Sequence, residues 1–169
     1  NIIATDNAVR AISKVNLDNA FAIDIGANVG TVSMFMIEQG ASKVYAFEPG
    51  PLFRDLQNNL DMNDLQEKVT PINLGLSDSE TTMYWAEDQN NKGNAHLLQN
   101  FNELDLSKHR TNFGNESLLK KVQVSTLDNY FSNVQDLKRL DFIKIDVEGL
   151  EWKVIKGGKN LIKKFKPAI

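Results

Sequence analysis

Apolar and polar positions along this chain follow two periods in alternation. Phe21–Ile25, Lys43–Phe47 and Phe142–Val147 are short runs with apolar character on both faces, as parallel strands covered by helices require. Between them the apolar residues recur at helical spacing. Val9, Ile12 and Val15 mark a lead-in helix before Ala20. Thr31–Gln39 reads as a compact helix with Gly40 as its cap. Pro51 opens another, with Leu52, Phe53, Leu56 and Leu60 as the buried stripe. Val69–Leu76 reads as a third strand, and Thr81–Trp85 as its extension or a separate edge strand. Val122–Val124 is a further short strand, and Asp128–Phe131 begins a short helix. Leu150, Val154 and Ile155 mark a helix closed by Gly157-Gly158. Leu161, Ile162 and Phe165 add a turn or two, and Pro167-Ala168-Ile169 has the look of a strand start. The alternation predicts a doubly wound α/β sheet in one domain over residues 1–169. Ala86–Lys120 breaks the pattern: it is polar, rich in Asn and weakly periodic, the signature of a lid or an insertion.

Composition narrows the partners. The 169 residues suffice for one domain with a real core. A formal net charge of -3 gives no support for a nucleic-acid-coating surface. The chain has no cysteine, which removes disulfides and thiolate metal sites and leaves the redox compartment open. No apolar run is long enough to span a membrane and no signal peptide opens the chain, so a cytoplasmic setting is assumed. Asn1 in place of Met, and the strand start at the other end, suggest a piece of a longer protein.

Three acids fall at strand ends: Asp24, Glu48 and Asp146. Right-handed crossovers would bring these ends to one rim. After the first strand comes Asp24-Ile25-Gly26-Ala27-Asn28-Val29-Gly30, a tight loop leading into a helix. Dinucleotide folds place a glycine where Asn28 stands, so that a pyrophosphate can approach the backbone. Asn28 has a side chain, though it tolerates left-handed geometry. A carboxylate at Asp24 repels a pyrophosphate and attracts the ammonium and sulfonium of S-adenosylmethionine. Glu48, followed by Pro49, lies about twenty residues beyond the loop, the spacing of an acid that accepts hydrogen bonds from ribose hydroxyls. Asn28 and the amides near Gly26 and Gly30 suit a carboxylate at the helix N-terminus. Leu76 and Ser77, followed by Asp78, are expected beside the adenine. A turn made by Gly26 and Gly30 with no ligand role is the plainer alternative, and the spacing to Glu48-Pro49 argues against it.

Alternation along Phe142–Val147 puts Lys144 and Asp146 on one face. Asp146 is the candidate general base or acceptor-positioning group for methyl transfer. Glu148 is placed to orient the acceptor or bind a metal beside it, or to serve the first turn of the next helix as Glu151 would. Lys144 inside a buried strand needs a charge partner, either Asp146 or Asp24, and pairing is favoured over a direct catalytic role. His96 and His109 are expected to face solvent, with a base on a closing lid as the alternative. Trp85 and Trp152 are expected in the core, with stacking on a sugar as the alternative. The lysines from Lys153 to Lys166 suit a solvated face, and Asn115-Glu116-Ser117 is a glycosylation sequon by pattern only. No metal site is predicted.

With Lys144-Ile145-Asp146-Val147-Glu148-Gly149-Leu150-Glu151 in view, the chain resembles the FkbM family of S-adenosylmethionine-dependent methyltransferases. Asp24–Gly30, Phe47-Glu48-Pro49, Val124–Asp128 and Val154–Gly158 with Lys166–Ile169 agree in order and spacing, so the likeness runs from about Phe21 to the end. It implies a class I methyltransferase (Rossmann-like) fold, S-adenosyl-L-methionine as cofactor, and O-methylation of a hydroxyl on a sugar, glycolipid or secondary metabolite. It also implies further strands beyond Ile169, including an antiparallel hairpin at the sheet edge. The partner expected is a small-molecule or glycan acceptor. A nicotinamide-dependent oxidoreductase and a non-catalytic cofactor-binding module are the alternatives.

Overall fold

The computed structural model describes the backbone of residues 2–88, 91–98, 119–134 and 137–169, and the side chains of 7–85, 120–134 and 137–169. Helix α1 (Ile2–Ile12) leads into β1 (Phe21–Ile25), α2 (Thr31–Glu38), β2 (Lys43–Phe47), α3 (Phe53–Met62) and β3 (Val69–Ile72). Four strands follow: β4 (Gly75–Leu76), β5 (Thr81–Asp88), β6 (Asn91–Leu98) and β7 (Leu119–Ser125). The chain then forms α4 (Leu127–Ser132), β8 (Phe142–Ile145), α5 (Glu151–Gly157) and α6 (Lys159–Phe165).

The first sheet is parallel, in the order β3-β2-β1-β8. Its register sets Ile25 beside both Phe47 and Ile145, and Phe47 beside Ile72, so the carboxyl ends are level. Strand order reverses between β1 and β8, which makes that junction the switch point where open α/β sheets hold ligands. Alternate residues face opposite helical layers. Ala22 and Val44 pack with Ile12, Met36, Leu56 and Leu60 on one side. Ile23, Ile25, Phe47 and Ile143 pack with Leu127, Phe131, Val154 and Leu161 on the other. Burying one such Leu contributes about 1.5–3 kcal/mol, and this doubly covered sheet is what the apolar runs predicted. Pro71 sits in β3 at the sheet edge, where a missing ladder donor is tolerated.

The expected strand Val69–Leu76 is instead two. Leu74 N donates to Ile72 O at 3.0 Å, a tight turn that takes the chain out of the first sheet. Gly75 and Leu76 then pair with Val124 and Ser125 in a second sheet of order β4-β7-β5-β6. Thr81–Trp85 neither extends the third strand nor lies at an edge: β5 runs to Asp88 between β7 and β6. Pro51 and Leu52 form a turn, and the helix begins at Phe53. Part of the expected insertion Ala86–Lys120 is sheet, since it supplies the end of β5, all of β6 and the start of β7. His96 lies in β6 opposite Ala86. His109 and the Asn115 sequon lie outside the described residues. Ala168 makes a parallel bridge to Phe142, in keeping with the strand start read at Pro167–Ile169.

The second sheet docks by its inner face, where Met83, Trp85, Val122 and Val124 pack with Leu150. A side chain at Gly157 would collide with the carbonyl oxygen of Ser77, so α5 and the end of β4 meet backbone to backbone. Among the described residues, no helix is long and apolar enough to cross a membrane.

Candidate functional site

The loop after β1 is shaped by three positive φ angles: Gly26 at 77°, Asn28 at 54° and Gly30 at 89°. Glycine costs nothing there, and Asn is among the few side chains that enter this region readily. Close approach adds a second demand. A Cβ on Gly26 would overlap the carbonyl oxygen of Asp146, and one on Gly30 would meet Leu56 Cδ1. Gly26 N and Ala27 N both donate to Phe47 O, at 3.0 and 2.9 Å. The loop thus lies across the ends of β2 and β8 at the switch point.

Glu48 follows β2 and is 7% exposed. Its Oε1 accepts from Gly50 N at 2.7 Å and its Oε2 from Asn28 N at 3.0 Å. Burial pushes its carboxyl above the ordinary glutamate range, aided by the nearby Asp24 charge. The two amides and Lys144 pull the other way without cancelling that effect. Asn73 Nδ2 donates to Glu48 O at 2.9 Å, and Asn59 Nδ2 to Val29 O at 2.8 Å. Asn73 is therefore a brace at the point where the third strand breaks. Pro49 stands half-buried between Glu48 and Gly50.

Asp24 does not reach the lip of the site. It is fully buried, its Oδ2 accepts from Ser33 Oγ at 2.7 Å, and its Oδ1 lies 2.9 Å from Lys144 Nζ. Oδ1 takes no well-directed hydrogen bond, so charge holds this side of the pair. Lys144 Nζ also donates to Gly26 O at 2.9 Å and lies 3.9 Å from Asp146 Oδ2. Of the two partners expected for Lys144, Asp24 is thus the close one, and the ammonium braces the loop from below. The need of a buried carboxylate for a cation explains why a lysine interrupts an apolar strand.

Asp146 is half exposed, and its backbone N donates to Ile25 O at 3.0 Å, fixing it at the rim. Glu148 is exposed with φ 49°, and Gly149 follows at 94°. A non-glycine residue held in that region stores local strain, a common mark of functional turns. Glu151 closes the turn, its Oε1 accepting from Gly149 N at 3.1 Å and Val147 N at 3.3 Å. Partial burial raises the Glu151 carboxyl, but these amides and its own outweigh burial and hold it below the usual range.

Leu76 and Ser77 are buried, 2% and 0% exposed, and belong to the second sheet, with Ser77 N donating to Ser125 O at 2.9 Å. Trp85 is core, but Trp152 is 73% exposed, against the expectation of packing. It stands in the first turn of a short helix whose buried positions, Val154 and Gly157, leave it on the outer side. Among the described residues, no group of three or more acid or imidazole side chains is placed to hold a metal ion. Ser33, Asn59 and Asn73 are site-shaping residues that sequence reasoning missed. Ser33 carried the one usable signal, a small polar residue in an otherwise apolar helix.

Comparison with known proteins gives the family. The family described as Methyltransferase FkbM domain matches residues 24–169. Methyltransferase sdnD of Sordaria araneosa is 33% identical over 156 residues, covering 82% of this chain and 60% of that protein. Methyltransferase 1 of Beauveria bassiana is 25% identical over 146 residues, covering 83% and 59%. The chain thus spans 60% and 59% of the length of these two relatives. Among solved structures, the crystal structure of PRMT6 aligns with a TM-score of 0.38 and 24% identity over 39% of this chain and 20% of that one.

Proposed function

Because the chain belongs to the FkbM methyltransferase family, we propose that it binds S-adenosylmethionine and transfers its methyl group to a hydroxyl of a sugar, glycolipid or secondary metabolite. The observation that carries this reading is the Glu48 carboxylate, fixed by two backbone amides beside a glycine loop at the sheet's switch point. Each oxygen keeps a lone pair for a ribose hydroxyl. The bound cofactor supplies an electrophilic methyl group on a sulfonium.

The chain's own residues do the rest. Glu48 accepts from the ribose, with Pro49 stiffening its loop. The amides of Gly26, Ala27, Asn28 and Gly30 are taken up within the loop, so these residues shape the turn, and the open first-turn amides of α2 would receive the methionine carboxylate. Asp24 acts from below, through Lys144 and Ser33, and keeps the loop in shape. Leu76 and Ser77 form the floor on the adenine side. Asp146 would hold the acceptor hydroxyl and accept its proton. Glu148, strained and exposed in the turn that follows Asp146, orients the acceptor. In this scheme Lys144 is a positioning residue.

Titration calorimetry tests the reading, with S-adenosylmethionine, S-adenosylhomocysteine and NAD offered separately to the chain and to Glu48→Gln. Binding of the first two alone, weakened about 10-fold or more by the substitution, is the expected result. Preference for NAD would restore the oxidoreductase alternative. An acceptor panel with labelled cofactor then tests Asp146→Asn, which should retain cofactor affinity and lose transfer. Retained transfer would remove Asp146 from the reaction.

A further inference from the structure

One side chain of the second sheet stands against the rim of the first. Trp85 is 4% exposed and lies over Gly50: a Cβ built there would overlap indole Nε1, with Cε2 at 2.6 Å and Glu48 Oε1 at 2.9 Å. Indole edge and carboxylate oxygen therefore flank the same Cα, and only glycine fits between them. The amide of this Gly50 is the donor that fixes Glu48 Oε1. The cluster containing Trp85 also packs with Leu150, next to Gly149 at the other lip.

We propose that Trp85 is a positioning residue for ribose recognition: by pinning Gly50 it holds the Glu48 carboxylate at the angle that receives the ribose hydroxyls. The proposal rests on the cofactor reading above. Gly50 is buried yet has no side chain of its own to anchor it, so its amide direction depends on what stands over it. The indole supplies that cover and keeps water from one side of the carboxylate. A smaller ring leaves room for Gly50 to shift, and a charge-assisted hydrogen bond weakens steeply when its donor turns away.

The test measures discrimination as well as affinity. S-adenosylhomocysteine and its 2′-deoxyribose analogue are titrated into the wild type, Trp85→Phe, Glu48→Gln and the double variant, with melting temperatures recorded for all four. Wild type should prefer the ribose form by about 10- to 100-fold, the worth of a hydrogen bond to a charged group. Trp85→Phe should cut that preference to about threefold, with the deoxy analogue bound within about twofold of wild type and no loss in the double variant beyond that of Glu48→Gln alone. An equal loss for both ligands, or none, would make Trp85 an ordinary core residue and overturn the proposal. A second measurement does not depend on how Trp85→Phe folds. The chain has two tryptophans, so Trp152→Phe leaves Trp85 as the sole indole reporter. Its emission should change more with S-adenosylhomocysteine than with the deoxy analogue, and identical responses would count against the role. If wild type binds neither ligand, the cofactor reading fails in that arm, and the proposal falls with it.

Discussion

The two sheets of this protein are built by different rules. In the first, neighbouring strands are linked by helices, every strand is parallel and both faces are covered. The polar groups of its candidate site come from three short stretches, at the carboxyl ends of β1, β2 and β8. In the second, β5 pairs antiparallel on both sides, and the one parallel pair joins β4 and β7 across a wide gap in sequence. It sets Trp85 on Gly50 and packs Met83 with Leu150. One sheet carries the acid-bearing strand ends, and the other packs against their loops.

That contrast can be broken experimentally, beginning with the largest effect. Lys144→Met should strand the fully buried Asp24 and cost about 3–5 kcal/mol, read as a lowered midpoint in urea. Adding Asp24→Asn should recover most of the loss. If it does not, the ammonium matters more for the Gly26 carbonyl than for the carboxylate. Gly157→Ala tests the seam between the sheets, because the new methyl meets the Ser77 backbone. We expect about 1–3 kcal/mol of destabilisation by thermal melting. An unchanged midpoint would mean that the sheets are less closely joined than described.

A smaller effect concerns pH. Burial raises the Glu48 carboxyl, so it gains its proton at a higher pH than an exposed glutamate. Cofactor affinity should therefore fall on acidification above the ordinary glutamate range, and Glu48→Gln should flatten that profile. The linked stability term has the opposite sense. It is fully present below the unfolded-state pKa and is lost as pH rises through the folded one. The smallest effect belongs to Asp141, whose Oδ2 accepts from Arg139 and from Phe21 N, both at 2.8 Å. The Arg139 guanidinium holds this carboxyl below its usual range. Its stabilisation is present above the unfolded-state pKa and is lost as pH falls through the folded one. Asp141→Asn should cost about 0.2–1 kcal/mol at neutral pH and nothing in strong acid, read by melting across pH.

The first sheet was legible because its signals are local. Asp24–Gly30 encodes a strand end, a positive-φ loop and a helix start within a few residues, Lys144–Glu151 does the same, and Phe47-Glu48-Pro49 marks a strand end with its acid. The second sheet was not, because its pairings depend on partners far away. Nothing near Asn73 announces that the chain leaves one sheet for another there. Nothing in Thr81–Trp85 says that Val122–Val124 will lie alongside. Asp24 shows the same limit within the motif itself: its place was readable, but its burial under Ser33 and Lys144 was not. Trp152 failed for a simpler reason, since a large apolar residue in a short helix is buried only if the helix turns that way.

The pairing of β6 and β7 with β5 has a consequence for engineering. Leu98 sits opposite Tyr84, and Leu119 opposite Ala86, on either side of the same strand. Two strand spacings and a two-residue offset along β5 put these residues about 12 Å apart, however many residues connect them. The entropy of closing such a connection grows only logarithmically, by about 0.6 kcal/mol for each doubling of length. The facing ends of β6 and β7 thus lie within reach of a short engineered linker from Leu98 to Leu119, whose closure should leave their pairing with β5 intact.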